Sequence, residues 1–545
     1  MLAREALHMR ALHMQNMRKG RAALGVLTVL LLVLIAFGVP PAVMAQARDG
    51  GTLRIAASSI QQLDPYKTAA NDEIDACTLV YDPLFILSKN NFKPIPHLAE
   101  SWENPDDTTW IFHLRKGVLF HDGNAVFPKG TKREMTADDV VYSIERFRKV
   151  STAFVLGDIA SVKAQDKYTV VIKTKRPEPF LVNDPNRLAR VVIMPHEAVE
   201  KLGEDGVAKT PIGTGPFKLK SFTPDQGLVL EKNPNYWLPV HLDRVEFVVI
   251  PDPTVQTMAL SAGEVDVVPY IFNVDSMGTL SKDPNLVLLS RGGSYRGLGI
   301  NVKTPPFNEW AVRDAIAKML DIDSAVKSVI GNFGERAYGQ CPPWVPFGYD
   351  PSLKSLWPYD PKAGLAELAK AGFKDSDGDG ILDRKGQPLK VQIKTIPGSQ
   401  VRVLTILATQ LKALGVDASV LQQDMAVWVD DLIKGNTGVF FDFSYAGTTG
   451  LHSLFHSSMI GKSNTHFYSS AQVDSLLDQA LGTTNEKKLE SLWKQAQRKI
   501  MEDRAAIPLY FEWGYSVCNK KVHDWVPPWG GLYLVSIENN VWLSK

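Results

Sequence analysis

Cysteine is scarce in this chain: Cys77, Cys341 and Cys518 are the only ones among 545 residues. An odd count leaves at least one thiol free, and three well-separated thiols do not make a metal cluster. An excess of one charge is also missing, since 60 Lys and Arg stand against 59 Asp and Glu. That balance excludes the basic footprint of a nucleic-acid binder. Beyond the N-terminal segment, no stretch is long and apolar enough to cross a membrane. Low-complexity tracts and evident repeats are absent too, so the composition is that of an ordinary globular protein.

Catalytic signatures are equally thin. There is no G-x-S-x-G and no Walker A, so any ATPase must be a separate chain. Ser324 to Lys327 and Ser491 to Lys494 match S-x-x-K but lack the partner motifs of the serine acylases. His196-Glu197-Ala198-Val199-Glu200 ends in Glu where a zincin needs His. The expectation is a protein that is not an enzyme and carries no cofactor.

What is present begins with Arg4, Arg10, Arg18, Lys19 and Arg21, followed by 26 uncharged residues from Ala22 to Ala47. The apolar core Ala22 to Val39 and the small-x-small site Ala45-Gln46-Ala47 predict a secretory signal peptide over residues 1–47. Cleavage after Ala47 removes five positive charges and one negative, leaving a mature chain of about −3. No Cys follows the apolar run, so a soluble periplasmic protein is expected rather than a lipid-anchored one. Its 498 residues exceed what one hydrophobic core holds, and two lobes are expected.

The most patterned block runs from Leu98 to Phe147. Thr108 to Arg115 alternates, with Trp110, Phe112 and Leu114 on one side, which predicts a half-buried strand. Lys116-Gly117 and His121-Asp122-Gly123 supply turn chemistry. Thr136 followed by Asp139 opens a helix in capping-box style, and Val140, Ile144 and Phe147 recur at helical spacing. Further strands are predicted over Gly51 to Ala57, Tyr168 to Lys173, Val245 to Pro251, Tyr295 to Asn301, Lys390 to Thr395 and Val439 to Tyr445. Helices are predicted over Pro253 to Ala262, closed by Gly263, from Ala311 onward, and over Gln400 to Leu414.

The block LAESW, LRKGV-F-HDG and TA-DVVYS-ER resembles the signature of the family 5 extracytoplasmic solute-binding proteins, the peptide, nickel and opine receptors of ABC importers. Gln62-Leu63-Asp64-Pro65, Tyr81-Asp82-Pro83-Leu84, GTGPF, NPNYW and GEVDVV match the same family, and the insert Val126 to Glu134 departs from it. The resemblance implies an α/β, two-lobed periplasmic binding protein of the Venus-flytrap type with an enlarged first lobe. Lobe I would comprise residues 48–300 and 506–545, and lobe II residues 301–505. It implies a receptor that captures a peptide-like or amino-acid-derived solute and delivers it to inner-membrane permease subunits. Such a receptor would act as a monomer with no nucleic acid. A neutral or sugar-like solute and a metal chelate are alternative cargoes, and a secreted hydrolase on this scaffold is the alternative class.

Site residues follow from the same resemblance. Gln62 lies in the loop after the first strand, which faces the cleft in the family. In peptide receptors the stretch here written Phe441 to Ser453 carries an aromatic residue and then an aspartate for the cargo's amino terminus. Tyr445 takes the aromatic place and Thr448 the place of the acid, and no acid lies between Asp442 and Asp474. Arg402 resembles a position where relatives hold an arginine near a ligand carboxylate. His452, Tyr510 and Glu512 complete the ligand-binding set, with strand alternation sending Tyr510 and Glu512 to one face and Trp513 to the other. Three other groupings were weighed from their residues. Asp375-x-Asp377-x-Asp379-Gly380 copies the front of a calcium loop but has Gly386 where glutamate is needed. His452, His456 and His466 have possible metal spacing, though no metal site is expected. The GTG run lacks the context of a phosphate cradle.

Overall fold

The computed structural model describes residues 49–150, 156–271, 273–436, 440–445 and 450–544. The expected signal peptide lies outside them. The three cysteines are all unpaired and buried.

One mixed sheet organises the molecule. β1 (Thr52–Ala57), β2 (Phe217–Thr223), β3 (Gly227–Lys232), β4 (Arg244–Val249) and β5 (Val267–Ile271) build its first half. β6 (Leu286–Ile300) then runs the length of the junction. β7 (Gly334–Arg336), β8 (Lys390–Thr395), β9 (Asp417–Gln422) and β10 (Phe440–Tyr445) build the second half, and β11 (Ala506–Asn519) returns alongside β6. The order is β9-β8-β10-β6-β11-β5-β1-β4-β3-β2, with β7 also on β11. β1 is parallel to both β4 and β5, and β8 is parallel to β9 and β10. β6 and β11 are antiparallel and pair from Leu286↔Asn519 to Gly299↔Ala506, with register shifts at Ser290/Gly293 and Arg296/Gly297.

The first lobe is enlarged by a separate four-stranded antiparallel sheet. Its strand Thr109–Leu114 shows the alternation read from the sequence, with Trp110, Phe112 and Leu114 buried. α1 (Asn71–Val80) and α2 (Ala137–Val150) pack around it and the main sheet. The Asp139 carboxylate accepts from the Thr136 backbone N–H at 2.8 Å, closing the first turn of α2, while Val140, Ile144 and Phe147 face the core. α3 (Pro253–Ala262) starts on an Asp252 cap and stops at Gly263, which sits at φ 77° as an αL cap requires. α4 (Val274–Leu280), α5 (Trp310–Lys318) and α6 (Gln400–Ala413) follow.

The signature motifs meet in buried polar knots. Asp82 accepts from His97 Nε2 at 2.8 Å, Thr214 Oγ1 at 2.9 Å and Tyr236 OH at 3.1 Å, joining YDP, GTGPF and NPNYW. Asp64 of the LDP turn takes both terminal nitrogens of Arg146, from YS-ER, at 3.1 and 2.5 Å. Gly213 and Gly215 press on the Val80 backbone, where an added Cβ would lie 2.2 Å from the Val80 carbonyl oxygen at Gly213 and 2.6 Å from its carbon at Gly215. The GTG run is therefore a close-packing device of the fold.

Candidate functional site

In open sheets with parallel strands, ligands lodge outside the carboxyl ends of the strands, where each chain exit leads into a helix start. Here β1 exits to Ser58, β4 to Pro253, β5 to Asn273 and β8 to Ser399. These exits converge. They line a cavity of about 470 Å³ with the start of α1, and Gly398 and Ser399 are the lining residues from the second half of the sheet.

The lining is polar on an apolar floor of Ala56, Pro253, Pro269 and Ile271. Asp72, in the first turn of α1, accepts from the Ser58 N–H at 2.7 Å and the Ser59 N–H at 3.5 Å. Burial pushes the Asp72 carboxyl above the usual range, against the lowering effect of those two N–H groups. Gln256 Nε2 donates to the Ile250 carbonyl at 2.8 Å and to Ser58 Oγ at 3.2 Å, which holds the β1 exit in place. The Tyr270 hydroxyl donates to Asp75 Oδ2 at 2.9 Å, and burial drives Asp75 well up. Asn273 caps α4 by accepting from the Asp275 and Ser276 N–H groups. A Cβ on Gly398 would lie 2.2 Å from the Gln400 side-chain oxygen, so a side chain there would disturb the turn that brings Ser399 to the cavity.

Among the described residues, those expected from sequence are not gathered at this cavity. Gln62 is tied to the first-lobe turn: its amide donates to Glu73 at 3.4 Å and its oxygen accepts from the Asp64 N–H at 3.3 Å. Arg402, one turn into α6, reaches across to Asp275 of α4 at 3.1 Å, an exposed pair near the cavity. Tyr445 ends β10 opposite Tyr295, its side chain lying outside the described part, as does Thr448 altogether. His452 sits in α7 (Gly450–Phe455), its ring stacked on His456 at 4.6 Å. Tyr510 is fully enclosed in a core cluster with Leu298, Ile393 and Leu404, and Glu512 holds Arg296 Nε at 3.3 Å. Trp344 packs against Trp513 with tilted rings 4.6 Å apart, and Trp357 donates to the Tyr338 carbonyl at 2.8 Å; both are packing residues.

His466 does not join His452 and His456. It is fully buried with its ring centre 4.5 Å from that of Phe455, and burial takes its pKa down to about 3. Asp375 and Asp379 spend their oxygens on backbone N–H groups of Gly378, Gly380 and Ile381, as an Asp-rich turn does. Asp72 and Asn273 were not foreseen. Their signal was positional: Asp72 lies in the first turn of the helix that follows β1, and Asn273 caps the helix that follows β5.

Comparison with known proteins agrees with this architecture. Residues 93–464 match the family model described as bacterial extracellular solute-binding proteins, family 5 Middle. The oligopeptide-binding protein AppA of Bacillus subtilis is 30% identical over 439 residues, 76% of this chain and 77% of the relative. The periplasmic oligopeptide-binding protein OppA of Escherichia coli is 26% identical, with 94% of this chain and 96% of the relative covered. Among solved structures, the periplasmic binding protein DppA of Helicobacter pylori in complex with peptide STSA superposes with a TM-score of 0.68 at 26% identity. That match covers 91% of this chain and 99% of the other.

Proposed function

The chain belongs to the family 5 bacterial extracellular solute-binding proteins, and we propose that its cargo is a short peptide-like solute taken up by an ABC importer. The observation that carries this reading is the interlobe cavity of about 470 Å³, lined from both halves of the sheet. Its size falls in the range of ligand pockets. Several relatives matched over most of their length are oligopeptide- or di/tripeptide-binding proteins, which supports a peptide-like cargo, and a heme-binding protein of Haemophilus influenzae is matched over a similar span.

In this reading residues 1–47 are a cleaved signal peptide, and the mature protein works as a periplasmic monomer that hands intact cargo to its cognate permease. Lobe I takes residues 48–300 and 506–545 and lobe II residues 301–505, and the paired strands β6 and β11 that run between them lose register at Gly292–Gly293, opposite Trp513–Gly514. Cargo touches both lobes only when they are shut, so its differential affinity draws the population toward the closed form. Arg402 and Glu512 remain proposed cleft residues, each reached by displacing its present partner.

The test is a thermal-shift screen of the purified protein with short peptides, oligosaccharides and nickel chelates. A peptide at a hundred times its Kd adds about 2.7 kcal/mol to stability, an easily read rise in Tm. A rise with oligosaccharide or chelate while every peptide stays silent would reject the peptide cargo. Recovery of hydrolysed peptide would reject the receptor role itself.

A further inference from the structure

The two ends of β8 serve different cavities. Its carboxyl end leads to Ser399 and the cleft, while its first residue, Lys390, lines a separate cavity of about 530 Å³ together with Gln392. Phe307 and Phe373, with Pro305, Pro306 and Pro388, supply the apolar walls, and both phenylalanines are anchored in the core beneath. The charged residues lining it are Arg384, Lys385 and Lys390, and among the described residues no acid joins them. Arg384 is a fixed wall. Its guanidinium forks onto Glu309 at 2.9 and 2.7 Å and lies 4.5 Å over the Phe373 ring. That pair neutralises one of the three charges. Lys390 stands 3.9 Å from Asp417 as an exposed pair, and Lys385 has no carboxylate within ion-pair distance among the described residues. Lys385 and Gly386 form the two-residue turn between Asp383–Arg384 and Gln387–Pro388, at φ 58° and 74°. Asn, Asp or Gly fits the first of those positions at least cost, yet here it holds a lysine at the cavity. A concave, largely apolar wall carrying charge of one sign gathers counter-ions of the other.

We propose that this cavity is a second ligand site, taking a small organic anion with a flat apolar body, such as an aromatic carboxylate or an aryl phosphate. Its size and its mixture of apolar walls with a few polar groups are those of a small-molecule pocket. The rings and prolines would hold the body, and Lys385 and Lys390 would pair with the anionic group. Every lining residue lies within 301–505, the stretch proposed as lobe II. A ligand here touches one lobe alone, so it has no differential affinity for open and shut forms and does not draw the lobes together. The assignment is independent of which cargo the cleft takes.

Calorimetric titration of the purified protein at low salt tests this with 2-naphthoate, 2-naphthyl phosphate and the neutral 2-naphthamide. At least one anion should bind about 10-fold more tightly than the amide, the scale of two exposed charge pairs. Tighter binding of the naphthoate would assign the carboxylate class, and tighter binding of the naphthyl phosphate the phosphate class. The double variant Lys385→Asn, Lys390→Gln should lose the same factor with Tm unchanged, because Asn suits the left-handed turn position. Lys385→Asn alone, at an exposed turn, should lose about 3-fold and serves where the double variant does not fold. X-ray scattering with the saturating anion should leave the radius of gyration unchanged. Equal binding of anion and amide, full affinity in the folded variants, or no binding of either anion at millimolar concentration would overturn the proposal. Contraction of the protein by the anion would overturn it too, by placing that anion in the cleft.

Discussion

At the residue scale, a buried neutral histidine away from the cavity ties stability to pH. His121 is enclosed, with its backbone N–H on the Gly213 carbonyl and its Nε2 donating to the Gly215 carbonyl at 2.9 Å. Burial lowers its pKa from 6.5 to about 4. Above pH 6.5 both folded and unfolded chains hold the ring neutral, so nothing is lost. As pH falls from 6.5 toward 4, the unfolded chain takes up a proton that the folded chain refuses, and stability drops across that window. At about 1.4 kcal/mol per pKa unit, His121 accounts for about 3 kcal/mol. Urea melts at pH 7, 5 and 4 should show this loss, and His121→Asn should flatten the slope between pH 6.5 and 4. An unchanged slope would mean that the ring is solvated in the native state.

At the element scale, the paired strands β6 and β11 carry the tightest backbone constraint. β6 and β11 shift register between Ser290 and Gly293, and the two glycines there have φ of 57° and 146°. A Cβ on Gly293 would lie 1.7 Å from the Glu512 carbonyl oxygen, and one on Gly292 would enter the Trp529 ring at 2.5 Å. Gly293→Ala should therefore cost more than about 2 kcal/mol, through both φ strain and steric overlap. Chemical denaturation checks it, and a loss under 0.5 kcal/mol, the scale of a neutral surface change, would show that the crossing can rearrange. Most elements were legible in the sequence, because strand alternation, the Asp252 cap and the Gly263 stop are local signals. The signature motifs were legible for the same reason that they do not reveal cargo. Asp82, His97, Asp64 and Arg146 are tied to one another inside the scaffold, so they report the fold. The cavity was not legible. It is assembled from strand exits some 340 residues apart, from Ser58 to Ser399, and sheet order alone brings them together.

At the scale of the whole molecule, closure must be stabilised away from the cavity as well as within it. Phe180, from the stretch proposed as lobe I, is fully buried in a cluster drawn mostly from residues proposed as lobe II. Its ring centre lies 6.1 Å from Phe347 and 5.3 Å from Trp493. Thr484 adds a polar contact, donating from its N–H and hydroxyl to Asp107 at 2.9 and 2.7 Å. Opening the lobes would draw Phe180 out of this socket, and truncating a buried Phe typically costs 3–5 kcal/mol. The polar contact is exposed and contributes little. With the lobes divided as proposed, this aromatic clasp would favour the shut form even without cargo and would lower the work that cargo must do. Phe180→Ala should shift the free protein toward the open form, raising its radius of gyration in X-ray scattering. Because the competent fraction falls, the apparent Kd should rise in proportion, while saturating cargo restores the compact form. A variant with lower Tm but unchanged radius and affinity would show instead that Phe180 travels with the second lobe. The lobe boundary would then have to be drawn on its other side.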